Sequence, residues 1–349
     1  MKTCSYQIRF LTPAFLGNAS QQAQWRTPPI KALLRQWWRV AVAQQVRYNP
    51  DALREREAEL FGVAADGGDS HQSLIRLRLS HWNEGNLKEW PRHGAVSHPE
   101  VRNPVGSDLY LGFGPLTYNT ATRSTGLKSK AAIQANDSAI LSLAVPDQHA
   151  DAIRTALTLM NFYGTLGGRS RNGWGSFSLL PENGSPALDE ALDSRFMRPW
   201  QEALQLDWPH ALGRDNQRRL IWQSAAFDDW TKLMRELAQI KIGLRTQKTF
   251  EFPQMRPDGQ VHNRHWLSYP VTTHKVWDWD KSNLRLPNSL RFKVRPAPGN
   301  PKQLVGVIFH LPCLPPPAFQ PHLSSIERVW QTVHAFLDQP EQKLTRIPA

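Results

Sequence analysis

Cysteine is nearly absent from this sequence. The 349 residues contain two, Cys4 and Cys313, with no metal-ligand spacing and no disulfide framework, as expected of a reduced cytoplasmic protein. Carboxylates are also scarce. Thirty Asp and Glu stand against 42 Lys and Arg, a net charge of +12 with pI near 9.9, which points to a phosphate-bearing partner. Long apolar runs are missing as well. Gln7 and Arg9 interrupt the early run, and His310 and Pro312 cut the late one from Leu304 to Leu314, so neither a signal peptide nor a membrane contact is expected. No GxSxG, HExxH or GxGxxG pattern occurs, which argues against the common serine-hydrolase, zinc-protease and dinucleotide chemistries.

Catalytic and metal-binding side chains are present but do not cluster. Of the twelve histidines, His71, His81, His93 and His98 lie in a stretch with little pattern. Only His262 and His265 are close, and no Cys or carboxylate joins them at ligand spacing. Asp278 and Asp280 flanking Trp279 read more simply as a turn than as a cation site. No catalytic residue, metal or cofactor is therefore expected.

Glycine is concentrated where it matters. Residues 164–177, GTLGGRSRNGWGSF, hold Gly164, Gly167, Gly168, Gly173 and Gly175, residues that permit positive φ and close backbone approach. Between them stand Arg169, Ser170, Arg171 and Asn172, which can bind phosphate oxygens, and Trp174, a flat face for a base or for packing. The Walker spacing is one residue short, Arg169 replaces its lysine, and the loop follows a helix. Two readings stay open, a backbone nest for a polyanion and a purely structural glycine corner, and the first is preferred.

Tyr6–Leu11 alternates as a strand. Thr27-Pro28-Pro29 opens a helix with Ile30, Leu33, Leu34, Trp37 and Ala41 on one arc and Lys31, Arg35 and Arg39 nearly opposite. No acidic residue lies between Arg26 and Arg47, so this basic stripe is expected to be open for nucleic-acid contact. A charged helix at Asp51–Phe61, a strand at Leu74–Leu79, a short strand at Tyr110–Phe113, a strand at Ile140–Val145 and a helix at Ala150–Tyr163 follow. Arg123–Lys130 is acid-free and reads as a mobile basic flap through Arg123, Lys128 and Lys130. Beyond a boundary near Pro181–Leu192, a helix is expected around Asp229–Leu237, strands at Ile240–Arg245, Leu267–Val276, Leu290–Arg295 and Leu304–Leu311, and a helix at Ser324–Leu337.

The first-half order is the βαββαβ plan of a ferredoxin-like domain, a common scaffold for RNA readers. The expected fold class is α+β, with two ferredoxin-like domains over residues 1–181 and 193–349, the second irregular.

Ile8-Arg9-Phe10-Leu11-Thr12-Pro13, the helix from Pro28 to Arg39, Glu59-Leu60-Phe61-Gly62 and the run from Gly167 to Ser176 together resemble the repeat-associated (RAMP) superfamily of CRISPR proteins. Within it, the tryptophan-rich helix paired with this loop is most similar to the first-numbered subunit of the type III-B (Cmr) effector complex. The resemblance covers mainly residues 1–180. It implies two ferredoxin-like domains in a non-catalytic subunit that holds guide RNA (crRNA) near its 3′ end, with other subunits and target RNA as further partners. Asn172 departs from the family pattern by intervening before Gly173 and Trp174, which bears on the side-chain contacts of the loop. Asp66 and Asp69 sit where an RNA-cleaving acid would lie in a backbone subunit, but nothing near them orients them. The alternative from the same superfamily is a metal-independent endoribonuclease that processes repeat RNA with a histidine.

Overall fold

The computed structural model describes residues 1–347 except 64–69, 92–93, 189–193, 217 and 255. Asp66, Asp69 and His93, and part of the expected boundary, lie outside the described residues. The first half builds β1 (Lys2–Phe10), α1 (Thr27–Val42), α2 (Pro50–Phe61), β2 (Arg76–Leu79), α3 (Ser107–Gly112), the hairpin strands β3 (Leu116–Asn119) and β4 (Ser124–Leu127), β5 (Ser138–Val145), α4 (Ala150–Tyr163) and β6 (Phe177–Glu182). Its sheet runs β2-β5-β1-β6 and is antiparallel throughout. The register pairs Ile8 with Ala139 on one side and with Leu179 on the other. Tyr6, Ile8 and Phe10 therefore point to one face, where α1 and α4 cover them.

The second half repeats the plan with β7 (Ile221–Phe227), α5 (Trp230–Arg245), β8 (Leu290–Ala297), β9 (Asn300–His310), α6 (Leu323–Leu337) and β10 (Thr345–Arg346), in the sheet order β8-β9-β7-β10. The fold is α+β with two antiparallel four-stranded sheets, and both sheet orders are those of a βαββαβ unit. The two apolar cores reach across the chain. Val307, Phe309 and Leu311 pack with the first sheet, while Leu11 and Trp174 belong to the core under the second.

Three expected strands are replaced. Tyr110–Phe113 is mostly the end of α3, because Leu111 turns inward to the second core instead of alternating along a sheet. Ile240–Arg245 continues α5, whose N-cap Asp229 accepts from the N–H groups of Thr231 and Lys232. Gly243 does not break that helix; a Cβ there would lie 2.6 Å from the Phe336 ring, so the glycine lets α6 pack closely. Residues 267–276 form isolated bridges, such as Tyr269 to Leu286, around a cis Tyr269–Pro270 bond. In the other direction, β7 was not expected at all; its pairing with β9 shifts between Gln223 and Ala226.

Four histidines are used as neutral, buried groups. His310 accepts or donates through Nε2 to Ser289 Oγ at 3.0 Å and through Nδ1 to His334 Nε2 at 3.0 Å. Burial drives His310 well below the ordinary imidazole range and His334 down to about 3, and burial takes His210 and His265 down to about 4. Their folded pKa values lie below the unfolded ones, so their contribution is complete above about pH 6.5 and is lost as pH falls toward the folded values. Urea unfolding should therefore show stability dropping between pH 6.5 and 4.5, by up to about 1.4 kcal/mol per pH unit for each such histidine. A flat profile over that interval would contradict this burial.

Candidate nucleic-acid interface

The glycine loop leaves α4 at Gly164 and closes on itself at a narrow neck. Thr165 pairs with Ser176, and the Leu166 N–H donates to Gly175 O at 3.0 Å. Gly175 has φ +64, and a Cβ on it would lie 1.8 Å from Leu166 O, so no other residue closes this neck. The loop rests on the segment that follows β1: Gly175 N–H donates to Pro13 O and Gly168 N–H to Phe15 O, each at 2.9 Å. Thr12 Oγ1 and Ser176 Oγ both donate to Gly173 O at 2.8 Å.

Its far side is joined to the second sheet. Asn172 bridges to Phe292, whose N–H donates to Arg171 O at 3.0 Å, and Val294 N–H donates to Ser176 Oγ at 2.8 Å. On β8, Arg291, Lys293 and Arg295 recur at every second residue and so share one face, turned to the first half. Arg291 meets Gln36 of α1. Lys293, fully buried, donates to Gly164 O and, at 2.7 Å, to Phe177 O, and lies 4.3 Å from the centre of the Phe177 ring. Arg295 stacks 4.1 Å above Phe162 of α4.

The rim between these anchorages is different. The N–H groups of Arg169, Ser170 and Arg171 find no protein acceptor among the described residues, and Arg169 holds φ +54, the alternation of backbone hands that makes an anion nest. Arg169 is exposed, and its Nε donates to Phe113 O at 2.5 Å. Beside it opens a cleft of about 550 Å³ between Phe15–Ala23 and Gly114, Pro115 and Lys128. Phe113, 63% exposed at this rim, offers an open aromatic face. Lys241 reaches in from α5, donating to Asn172 Oδ1 at 2.5 Å, and burial holds it well below the ordinary lysine range, with Arg245 and Arg169 adding to the effect. Glu100, bound to Arg264 at 2.6 Å, acts on Arg245.

Residues 7–178 match the family model of the RAMP superfamily. This half of the chain is a RAMP-superfamily module. The whole chain is also similar in structure to the apo form of Cmr1 from Pyrococcus furiosus, with 13% identity and a TM-score of 0.46, covering 99% of this chain and 98% of that one. A chain of the type III-B Cmr-beta complex bound to cognate target RNA is similar at 11% identity and a TM-score of 0.45, covering 96% of this chain and 99% of that one. A chain of a type IV-B CRISPR complex matches at 14% identity and a TM-score of 0.31, over 57% of this chain and 95% of that one. No curated protein matches this chain.

The expected site residues separate into three groups. Gly167, Gly168, Arg169, Ser170, Arg171 and Lys128 gather at the nest and cleft. Arg123 is on the turn of the β3–β4 hairpin and lines a second cleft of about 400 Å³ with Tyr118, while the Lys130 N–H donates to Gln22. The basic segment is thus an ordered hairpin, not a flap.

The remaining residues correct the sequence reading. Trp174 is fully buried, with Phe15, Trp90 and Trp230 around it at 5.4–5.8 Å between ring centres, so it has no face for a base. Gly173 is buried with it, and Asn172 is spent on Leu111 O and Lys241. The Lys31, Arg35 and Arg39 stripe is not open either. Arg35 and Arg39 both bind the buried Glu57 of α2, Arg39 Nη2 at 2.7 Å, and Lys31 donates to Phe61 O at 3.2 Å. Burial works to raise the Glu57 carboxyl, but hydrogen bonds and charge from Arg39 and Arg35 outweigh it and hold the group below its usual range. The acid-free window from Arg26 to Arg47 was local to the sequence; the matching acid arrives a helix later.

Phe113, Lys241 and the β8 cations escaped sequence reading. Alternating Arg291, Lys293 and Arg295 in an otherwise apolar strand was the available signal, since three cations on one strand face require a partner surface. The stripe's new role fixes a prediction. Glu57→Ala or Arg39→Glu should lower stability by about 1–3 kcal/mol in urea unfolding, where a free surface stripe would change by under about 0.5 kcal/mol.

Proposed function

We propose that this RAMP-superfamily chain is a non-catalytic subunit of a type III-B CRISPR RNA-guided complex that holds guide RNA, near the guide's 3′ end, with other subunits and target RNA as further partners. The observation that carries the RNA reading is the rim at Arg169–Arg171 with its free N–H donors, tied to the exposed Phe113 and adjoining the cleft that Pro115 and Lys128 line. Backbone donors and guanidinium suit phosphates, and exposed phenyl suits a stacked base. The net charge of +12 supplies long-range attraction. Among the described residues no group of His, Cys, Asp and Glu is arranged to hold a metal, and no helix is long and apolar enough to cross a membrane.

The alternative, a metal-independent endoribonuclease, draws on one arrangement. His262 Nε2 lies 2.8 Å from Asp258 Oδ2 near the surface, an imidazole oriented by a carboxylate. It stands in a cluster with His265, Phe252 and His274 and not in the basic cleft. Incubating the protein with repeat RNA in EDTA separates the two readings: intact RNA is expected, and cleavage that His262→Ala abolishes would establish the enzyme.

Single-stranded RNA affinity should fall steeply with salt. Replacing Arg169 and Lys128 by Ala together should reduce the slope of log affinity on log salt by about 1.4, since each single-strand phosphate contact is worth about 0.7. Fluorescence anisotropy from 50 to 300 mM salt reads this, and an unchanged slope would remove the rim from the RNA path.

A further inference from the structure

Behind the nest rim, two guanidinium groups share a desolvated place with no counter-charge. Arg291 is 8% exposed on β8, and its Nε is buried without a hydrogen-bond partner. Arg171 approaches from the loop, its carbonyl already tied to the next residue of that strand. Gln36, with its amide oxygen turned to Arg291, accepts from Nη2 at 3.1 Å. That leaves the amide nitrogen of Gln36 as a further donor.

The surroundings offer no neutralisation. Among the described residues no carboxylate acts on either guanidinium; the other group that acts on both is the Cys313 thiol, which burial pushes up and so keeps uncharged at neutral pH. The charge of Asp207 acts on Cys313. Burial first, and then the charge of Arg171, takes Arg291 down to about 9. Two confined like charges and an orphaned N–H destabilise the fold unless an anion completes them. The half-buried Arg171, next to the nest rim, gives access from solvent.

We propose that Arg171, Arg291 and Gln36 form a phosphate site in the seam between the two sheets, made of one loop residue, one strand residue and one helix residue that no single βαββαβ unit supplies. The planar forks of the arginines suit a tetrahedral oxyanion held by paired N–H donors. The phosphate is a phosphodiester or terminal phosphate of RNA leaving the rim, or a free phosphate ion. Only the RNA source rests on the function proposed above; the anion site stands without it.

The test follows the thermal unfolding of the full-length protein during titration with inorganic phosphate at constant ionic strength, for the wild type, Arg291→Met and Arg291→Lys. The melting temperature of the wild type should rise with the logarithm of phosphate concentration. Arg291→Met should start higher than the wild type in phosphate-free buffer, because an unpaired buried charge is gone, and should not respond to phosphate. Arg291→Lys should keep part of the response. The same proteins are then titrated with single-stranded RNA. At least tenfold weaker binding by Arg291→Met assigns the site to an RNA phosphate, and unchanged RNA affinity beside a phosphate response that Arg291→Met loses assigns it to the free ion. An equal phosphate response in wild type and Arg291→Met overturns the proposal, as does no response in the wild type together with unchanged RNA affinity in the variant.

Discussion

A buried lysine organises the molecule. Lys293 reaches from the second sheet to the carbonyls of Gly164 and Phe177, the two ends of the glycine loop, and covers the Phe177 ring. Burial pushes the Lys293 amine well below the ordinary lysine range, and two carbonyls and an aromatic face offset the cost of burying it. The chain ends of the loop must therefore converge, and they converge only because the neck at Gly175 has no side chain. Arg291 and Arg295 on the same strand face add contacts to α1 and α4, so one strand of the second unit touches two helices of the first.

This arrangement ties charge to architecture. The seam is held by basic side chains on carbonyls, amides and rings. The interior of the loop serves structure, while its rim at Arg169–Arg171 keeps free N–H donors. The corner reading describes the neck of these fourteen residues, and the rim keeps the N–H donors that the nest reading requires.

Much of the first sheet was legible because its periodicities are strong. Tyr6, Ile8 and Phe10 alternate, and the apolar arc of α1 is uninterrupted. The second unit was less so. IWQSAAF in β7 carries little β signal and is bulged, and Ile240–Arg245 mimics a strand by alternation until Gly243 is seen to accept the Phe336 ring. The site failed where partners are distant in sequence. Trp174 looked like a stacking face because Trp90 and Trp230, which enclose it, lie 84 and 56 residues away. Arg35 and Arg39 looked free because Glu57 is on another helix. Local composition states what a segment is able to bind, and tertiary packing decides what it is already holding.

The most direct test is photo-crosslinking of the protein to single-stranded RNA containing 4-thiouridine, with the crosslinked peptides mapped by mass spectrometry. Crosslinks are predicted on the peptides that carry Phe15–Ala23, Phe113–Lys128 and Gly167–Arg171. Crosslinks concentrated instead on Lys31, Arg35 and Arg39 of α1, with the loop and cleft peptides unmodified, would contradict the account.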